Sequence, residues 1–155
     1  MRIRLLAVGR RPPRWAEDAC AEYLKRLPDA LRVEPRLIAP ARGHADEVAR
    51  ARADEGQRLL AACGPRDRIV TLDERGTGWS TVELAARLSE WELEGRDVAL
   101  LIGGADGLSE ACLECADACW SLSPLTLPHA LVRVVVAEQL YRAWSVNAGH
   151  PYHRA

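Results

Sequence analysis

The side chains of this sequence best suited to proton chemistry gather toward its C-terminal end. His129, His150 and His153 stand there with Tyr152 and Arg154. Imidazoles exchange protons near neutral pH, and a guanidinium offers a fixed fork of donors. Terminal tails are usually frayed. HPYHR, however, is rich in Tyr, His and Arg and carries almost no Gly or Ser. Fraying without function and a role in a site both stay open on composition.

Glycine marks a second group of positions. Gly103, Gly104 and Gly107 of IGGADG directly follow the apolar run VALLI. Glycine lets a ligand approach the backbone and tolerates positive φ. The spacing is not G-x-G-x-x-G, and no G-K-[ST] follows to make a P-loop. A structural turn and a ligand loop are equal readings here. In TLDERG, Leu72 and Asp73 end another apolar run, with Asp73 either a ligand contact or a turn residue. Cys112, Cys115 and Cys119 follow one another at spacings of three and four, which places three thiols near one helical face. A structural zinc takes four ligands and no fourth stands nearby. A helix N-terminus can activate a thiol for redox work. Small apolar packing is the preferred reading, and no metal is expected.

The elements that must position these groups alternate along the chain. RIRLLAVG, LRVEPRLIA, DRIVTLDERG, DVALLIGG and CWSLS read as strands, with Pro35 marking an edge or bulge. WAEDACAEYLKRL has helical spacing, with Trp15, Ala19, Tyr23 and Leu27 on one stripe. ADEVARARADEGQRLLAACG is a charged amphipathic helix that Gly64-Pro65 stops. Gly76-Thr77-Gly78 reads as a turn, and Ser80 with Glu83 as a capping box for VELAARLSEWELEG. Ser109 caps SEACLECADA. HALVRVVVAEQLYRAWSVNAG is a long helix, apolar apart from Arg133, Glu138 and Arg142, so it lies in the core or against a partner. Alternating strands and helices predict an α/β fold with a mainly parallel sheet covered on both faces. Ligands of such sheets bind at the carboxyl ends of strands. The candidate ends here are TLDERG, IGGADG and LSPLTLPH.

With 155 residues, 48% hydrophobic and 28% charged, the chain suits one soluble globular domain spanning 1–155. Nothing reads as a signal peptide and no apolar stretch is long enough to span a bilayer, so a cytoplasmic protein with free thiols is expected. The net charge of -1 hides an asymmetry. Residues 1–42 carry ten Lys/Arg against five Asp/Glu, 43–119 carry eight against sixteen, and 120–155 carry three against one. Basic ends around an acidic middle are compatible with a phosphate-binding face, as they are with scattered solvated charges.

The motifs AVG, EYLKRLP, RIVTLDERG, LLIGGADGLS, SLSPLTLPHALVR, AEQLYRAW and HPYHR run in this order over essentially the full length. In them the chain resembles the bacterial large-subunit ribosomal RNA pseudouridine N3-methyltransferases, the small stand-alone members of the SPOUT superfamily. The resemblance implies a single SPOUT-type domain with a C-terminal trefoil knot, an exception to the rule against threaded chains. It implies a homodimer with a cofactor site beside the interface, S-adenosyl-L-methionine as cofactor, and 23S rRNA in the assembled ribosome as partner. By the same resemblance Leu72, Gly103, Leu122, Ser123, Pro124, Leu125, Thr126 and Leu127 line the cofactor pocket. Pro124 stands where relatives often carry Ala, which stiffens that loop. The cysteines are outside the family pattern.

Methyl transfer to N3 of a pseudouridine requires the N3 proton to leave. The resemblance makes His129 a candidate base or positioner. It gives Tyr152, His153 and Arg154 a grip on the nucleotide, with Tyr152 suited to stacking and Arg154 to phosphate or a developing negative charge. Proton acceptance by His129 or by His153 stays open, as does action of the tail in its own subunit or across the dimer. Arg10, Arg11, Arg14, Lys25 and Arg26 are expected to face RNA phosphates.

Overall fold

The structure, a computed structural model, describes residues 1–42 and 47–154. Five strands form one sheet: β1 (Arg2–Val8), β2 (Arg32–Ile38), β3 (Arg68–Gly78), β4 (Val98–Ile102) and β5 (Ala118–Ser121). Their spatial order is β2-β1-β4-β3-β5 and every pairing is parallel. Parallel neighbours need long crossovers. These are supplied by α1 (Arg14–Leu24), α2 (Val48–Ala62), α3 (Thr81–Glu94) and α4 (Glu110–Cys115), before α5 (His129–Ala148) closes the chain.

Side chains alternate across a strand, so β1 serves two cores. Ile3, Leu5 and Ala7 pack with Leu84 and Leu88 of α3 and Val136 and Leu140 of α5. Leu6 and Val8 pack with Leu59 of α2 and Cys112 of α4. Burial on both faces explains why VALLI is apolar at every position rather than at alternate ones. The expected α/β architecture is therefore present. Pro35 sits on β2, an edge strand, where proline is tolerated. Ser80 and Glu83 form the full capping box of α3, and Ser109 accepts from the Cys112 N–H at the start of α4.

Four local expectations are corrected. Gly76-Thr77-Gly78 is not a turn but the end of β3, whose register with β5 shifts between Leu72 and Thr77. Glycine is needed there because a Cβ on Gly76 would come within 2.6 Å of the Cys119 carbonyl oxygen. The stripe through Trp15 is not the buried face of α1. Ala16 and Cys20 are buried, Trp15 is 55% exposed, and Leu27 lies beyond the helix end. CWSLS shortens to a strand ending at Ser121. The three thiols do not share a helix face, since α4 ends at Cys115 and Cys119 belongs to β5. Among the described residues, no helix is long and apolar enough to cross a membrane.

Candidate active site

Strand register builds the floor of the main cavity. Leu72 pairs with Ile102 on one side and with Trp120 on the other. Ile102 ends β4 and Trp120 stands one residue before the end of β5, whereas β3 runs on past Leu72 to Gly78. The loops leaving β4 and β5, together with the Leu72–Arg75 stretch of β3, enclose a cavity of about 500 Å³. Leu72 and Gly103 line it from β3 and from the loop after β4. Leu122, Ser123, Leu125, Thr126 and Leu127 line it from the segment after β5. Of the eight positions expected around a cofactor, seven are thus brought together. Pro124 is exposed and lies outside the lining.

Glycine allows the loop after β4 to fold on itself. A Cβ on Gly103 would stand 2.5 Å from the Gly107 carbonyl carbon and 2.8 Å from the Leu108 nitrogen. Gly107 donates its N–H to the Gly104 carbonyl at 3.0 Å and has a φ of 81°, which favours glycine. The segment after β5 is held by short polar contacts. Ser121 Oγ donates to the Ser123 carbonyl at 3.2 Å, and Ser123 Oγ accepts from the Leu125 N–H at 3.0 Å. Thr126 Oγ1 donates to Glu74 Oε2 at 3.0 Å, tying this segment to β3.

Asp73 is occupied locally. It accepts from the Arg75 backbone N–H at 2.8 Å and from Arg75 Nε at 2.9 Å. The Arg75 guanidinium holds its carboxyl below the usual carboxylate range. Trp120, Val132, Arg52 and Arg75 also line the cavity and were not singled out from the sequence. Trp120 follows from the inward alternation of β5. Arg52 carries no local signal, because only the fold brings α2 over the Asp106 carbonyl, 3.5 Å from Arg52 Nη1.

His129 is the first residue of α5, exposed at the cavity edge. It also lines a second cavity, of about 510 Å³, together with Gly104, Ala105 and Asp106. One imidazole and one loop therefore form the boundary between two neighbouring spaces. The tail lies elsewhere. Twenty residues of α5 separate its ends, which at 1.5 Å per residue is roughly 30 Å. Tyr152, His153 and Arg154 form a single 3₁₀ turn at the far end. His129 and the tail are not brought together within one chain.

That turn is folded onto α5 rather than frayed. The Tyr152 ring lies 4.5 Å from the Tyr141 ring and 4.8 Å from the Arg142 guanidinium. Its hydroxyl donates to Glu138 Oε1 at 3.0 Å, and the same oxygen accepts from Arg142 Nε at 2.7 Å. Glu138 and Arg142, two of the charges on the apolar helix, thus serve to dock the tail. His153 Nδ1 is paired with the His150 carbonyl, and Arg154 is exposed.

The N-terminal basic residues are largely neutralised by neighbours. Arg11 pairs with Glu17 at 3.3 Å, Arg14 with Asp18 at 3.8 Å, and Arg26 with Glu22 at 2.9 Å, while Lys25 also meets Glu22. Burial pushes the Cys112 thiol up, opposite to the shift that redox work needs, and pushes Cys63 up to about 11. Among the described residues, no three His, Cys, Asp or Glu side chains converge on a metal position.

A parallel sheet whose carboxyl side holds a ligand-sized cavity between its loops defines a nucleotide- or cofactor-binding α/β protein. The profile of the family described as "predicted SPOUT methyltransferase" matches residues 1–153. A protein of Methylibium petroleiphilum named ribosomal RNA large subunit methyltransferase H is 56% identical over 155 residues, covering 99% of each chain. The chain belongs to the SPOUT methyltransferases. Two solved structures share the fold. A methylase family protein from Haemophilus influenzae has a TM-score of 0.58 at 15% identity, covering 97% of this chain and 69% of that one. Another, from Neisseria gonorrhoeae, has a TM-score of 0.54 at 18% identity, covering 90% and 81%.

Burial, then the Glu138 hydrogen bond, pushes the Tyr152 hydroxyl up to about 12 from its ordinary 10. A raised value favours the protonated form in the folded state. Its contribution is complete below pH 10 and is lost as pH rises toward 12. The stability difference between the native chain and Tyr152→Phe is therefore expected to stay constant up to pH 10 and then to shrink. Thermal melts of both proteins across this range check it. A difference that instead grows above pH 10 contradicts the docking of the tail through this hydroxyl.

Proposed function

We propose that this chain transfers the methyl group of S-adenosyl-L-methionine to N3 of a pseudouridine in 23S rRNA, acting on the assembled ribosome in the cytoplasm. The observation that carries this reading is the enclosure between the loops after β4 and β5 and the Leu72–Arg75 stretch of β3, with an imidazole at its rim. The relative at 56% identity, itself named a large-subunit rRNA methyltransferase, supports the RNA target.

The cavity suits the cofactor by its chemistry. Leu72, Trp120 and Leu127 give apolar walls for a purine ring and a thioether chain. Main-chain groups of 103–107 and 122–127 supply polar contacts without side-chain bulk. When bound, the cofactor provides an electrophilic methyl, so the protein has mainly to place and orient the acceptor. His129 lies on the boundary of the cavity and of the neighbouring space. There its imidazole nitrogen can take the N3 proton or fix the base edge. At the rim Arg75 is paired with Asp73, and Arg52 adds positive charge beside the Asp106 carbonyl.

The tail acts across a two-fold homodimer. The separation of roughly 30 Å between the ends of α5 prevents Arg154 and His129 of one chain from meeting on one nucleotide. An antiparallel pairing of two α5 helices brings the tail of each chain to the other's His129. The same reading includes one domain over 1–155 and the C-terminal trefoil knot, both of which rest on the family resemblance.

The defining experiment gives labelled S-adenosylmethionine to assembled ribosomes that lack the modification, followed by mapping of the labelled nucleotide. Label is expected on N3 of a pseudouridine in 23S rRNA, and unlabelled large-subunit RNA overturns the proposal. Tail sharing is read from mixed dimers of a chain lacking 151–155 and a Gly103→Val chain. Restored transfer, with each homodimer inactive, is expected. Failure of the mixed dimer to transfer contradicts action across the interface.

A further inference from the structure

The second cavity is a mixed space with a feature that demands an occupant. Pro12, Pro13, Leu37, Val48 and Ala51 supply apolar walls. Arg133, the fifth residue of α5, lines it while only 8% exposed. Its Nε and Nη1 atoms are shielded from water and have no hydrogen-bond partner among the described residues. A buried guanidinium without an acceptor is costly, because desolvation is not compensated. An anion delivered to it would form charge-assisted hydrogen bonds.

Other charges around the cavity sort by position. Arg10 stands at the loop after β1 and adds positive potential, while Arg11 beside it is paired with Glu17. Glu55 is buried, and one of its oxygens accepts from the Ala41 N–H at 3.3 Å. Asp106 is exposed on the loop shared with the first cavity. The space thus offers apolar walls for a flat ring and a fork-shaped cation for an oxyanion. It is separated from the first cavity by His129 and the Gly104–Asp106 loop alone.

We propose that this cavity seats the acceptor nucleotide, extruded from the RNA, with its phosphate on Arg133. The identity of the nucleotide rests on the function proposed above; the phosphate site does not. Enzymes that modify a base take it out of the stack into a fitted pocket. Arginine matches the geometry of phosphate oxygens better than lysine does. The burial of Arg133 distinguishes it from the exposed, ion-paired Arg14 of α1, which water screens.

The test is a set of binding titrations on the full-length protein, followed by NMR. Pseudouridine 5′-monophosphate, pseudouridine and inorganic phosphate are compared on the native chain, Arg133→Gln and Arg133→Lys. The monophosphate is expected to bind the native chain about tenfold tighter than the nucleoside. Arg133→Gln should lose that preference and Arg133→Lys should keep part of it. Ala51→Leu, which fills the cavity from α2 and leaves Arg133 in place, should weaken the monophosphate, and it keeps the test decisive if Arg133→Gln does not fold. Equal binding of monophosphate and nucleoside to the native chain overturns the proposal. Inorganic phosphate as tight as the monophosphate makes this a free-anion site and also overturns it. So does competition by S-adenosylhomocysteine, which would assign Arg133 to the cofactor's carboxylate. Ribosome methylation does not enter these readouts. A phosphate preference without methyl transfer refutes the proposed function alone, and methyl transfer without the preference refutes this site alone.

Discussion

The close approach of backbone to backbone at Gly103 sets the shape of the whole site. Strands β4 and β5 end on either side of β3, which runs on past Leu72, and the two loops must leave one small area without colliding. The loop after β4 does so by folding Gly107 and Leu108 against a residue that has no side chain. Its tight turn leaves Gly104–Asp106 as a thin wall between two cavities. A bulkier residue at 103 would push that wall into one space or the other. The sheet supplies the rigidity this arrangement needs, since the central strands are buried on both faces by separate cores.

The last helix is the second determinant. Its N-terminal residue, His129, edges both cavities, its middle fills the core through Val136 and Leu140, and its far end carries the docked tail. One rigid element therefore relates His129 at one end to the docked tail at the other by a fixed length. That length keeps the two apart within one chain. The charges on this helix have divided roles. Glu138 and Arg142 hold Tyr152, whereas Arg133 faces the second cavity.

Features governed by local chemistry were legible in the sequence. The capping box of Ser80 and Glu83, the edge position of Pro35 and the doubly buried VALLI strand each follow from neighbours within a few residues. The main cavity was legible through strand ends and through family resemblance, which agreed on the same loops. What failed depended on distant chain. Gly76 is glycine because the Cys119 carbonyl passes beside it, which no local pattern reveals. Trp15 looked like a core residue by spacing, yet the face that α1 presents to α5 is narrower. Arg133 stood out as a charge on an apolar helix. Its role required the loop after β1, α2 and the Gly104 loop to meet around it.

The central claim is that the enclosure between the loops after β4 and β5 and the Leu72–Arg75 stretch of β3 holds S-adenosylmethionine. Calorimetric titration of the cofactor into the native chain and into Gly103→Ala tests it most directly, with the melting transition of the variant retained. The added Cβ must displace the Gly107 backbone, so affinity should fall by at least about tenfold. Equal affinity of the two proteins would contradict the claim.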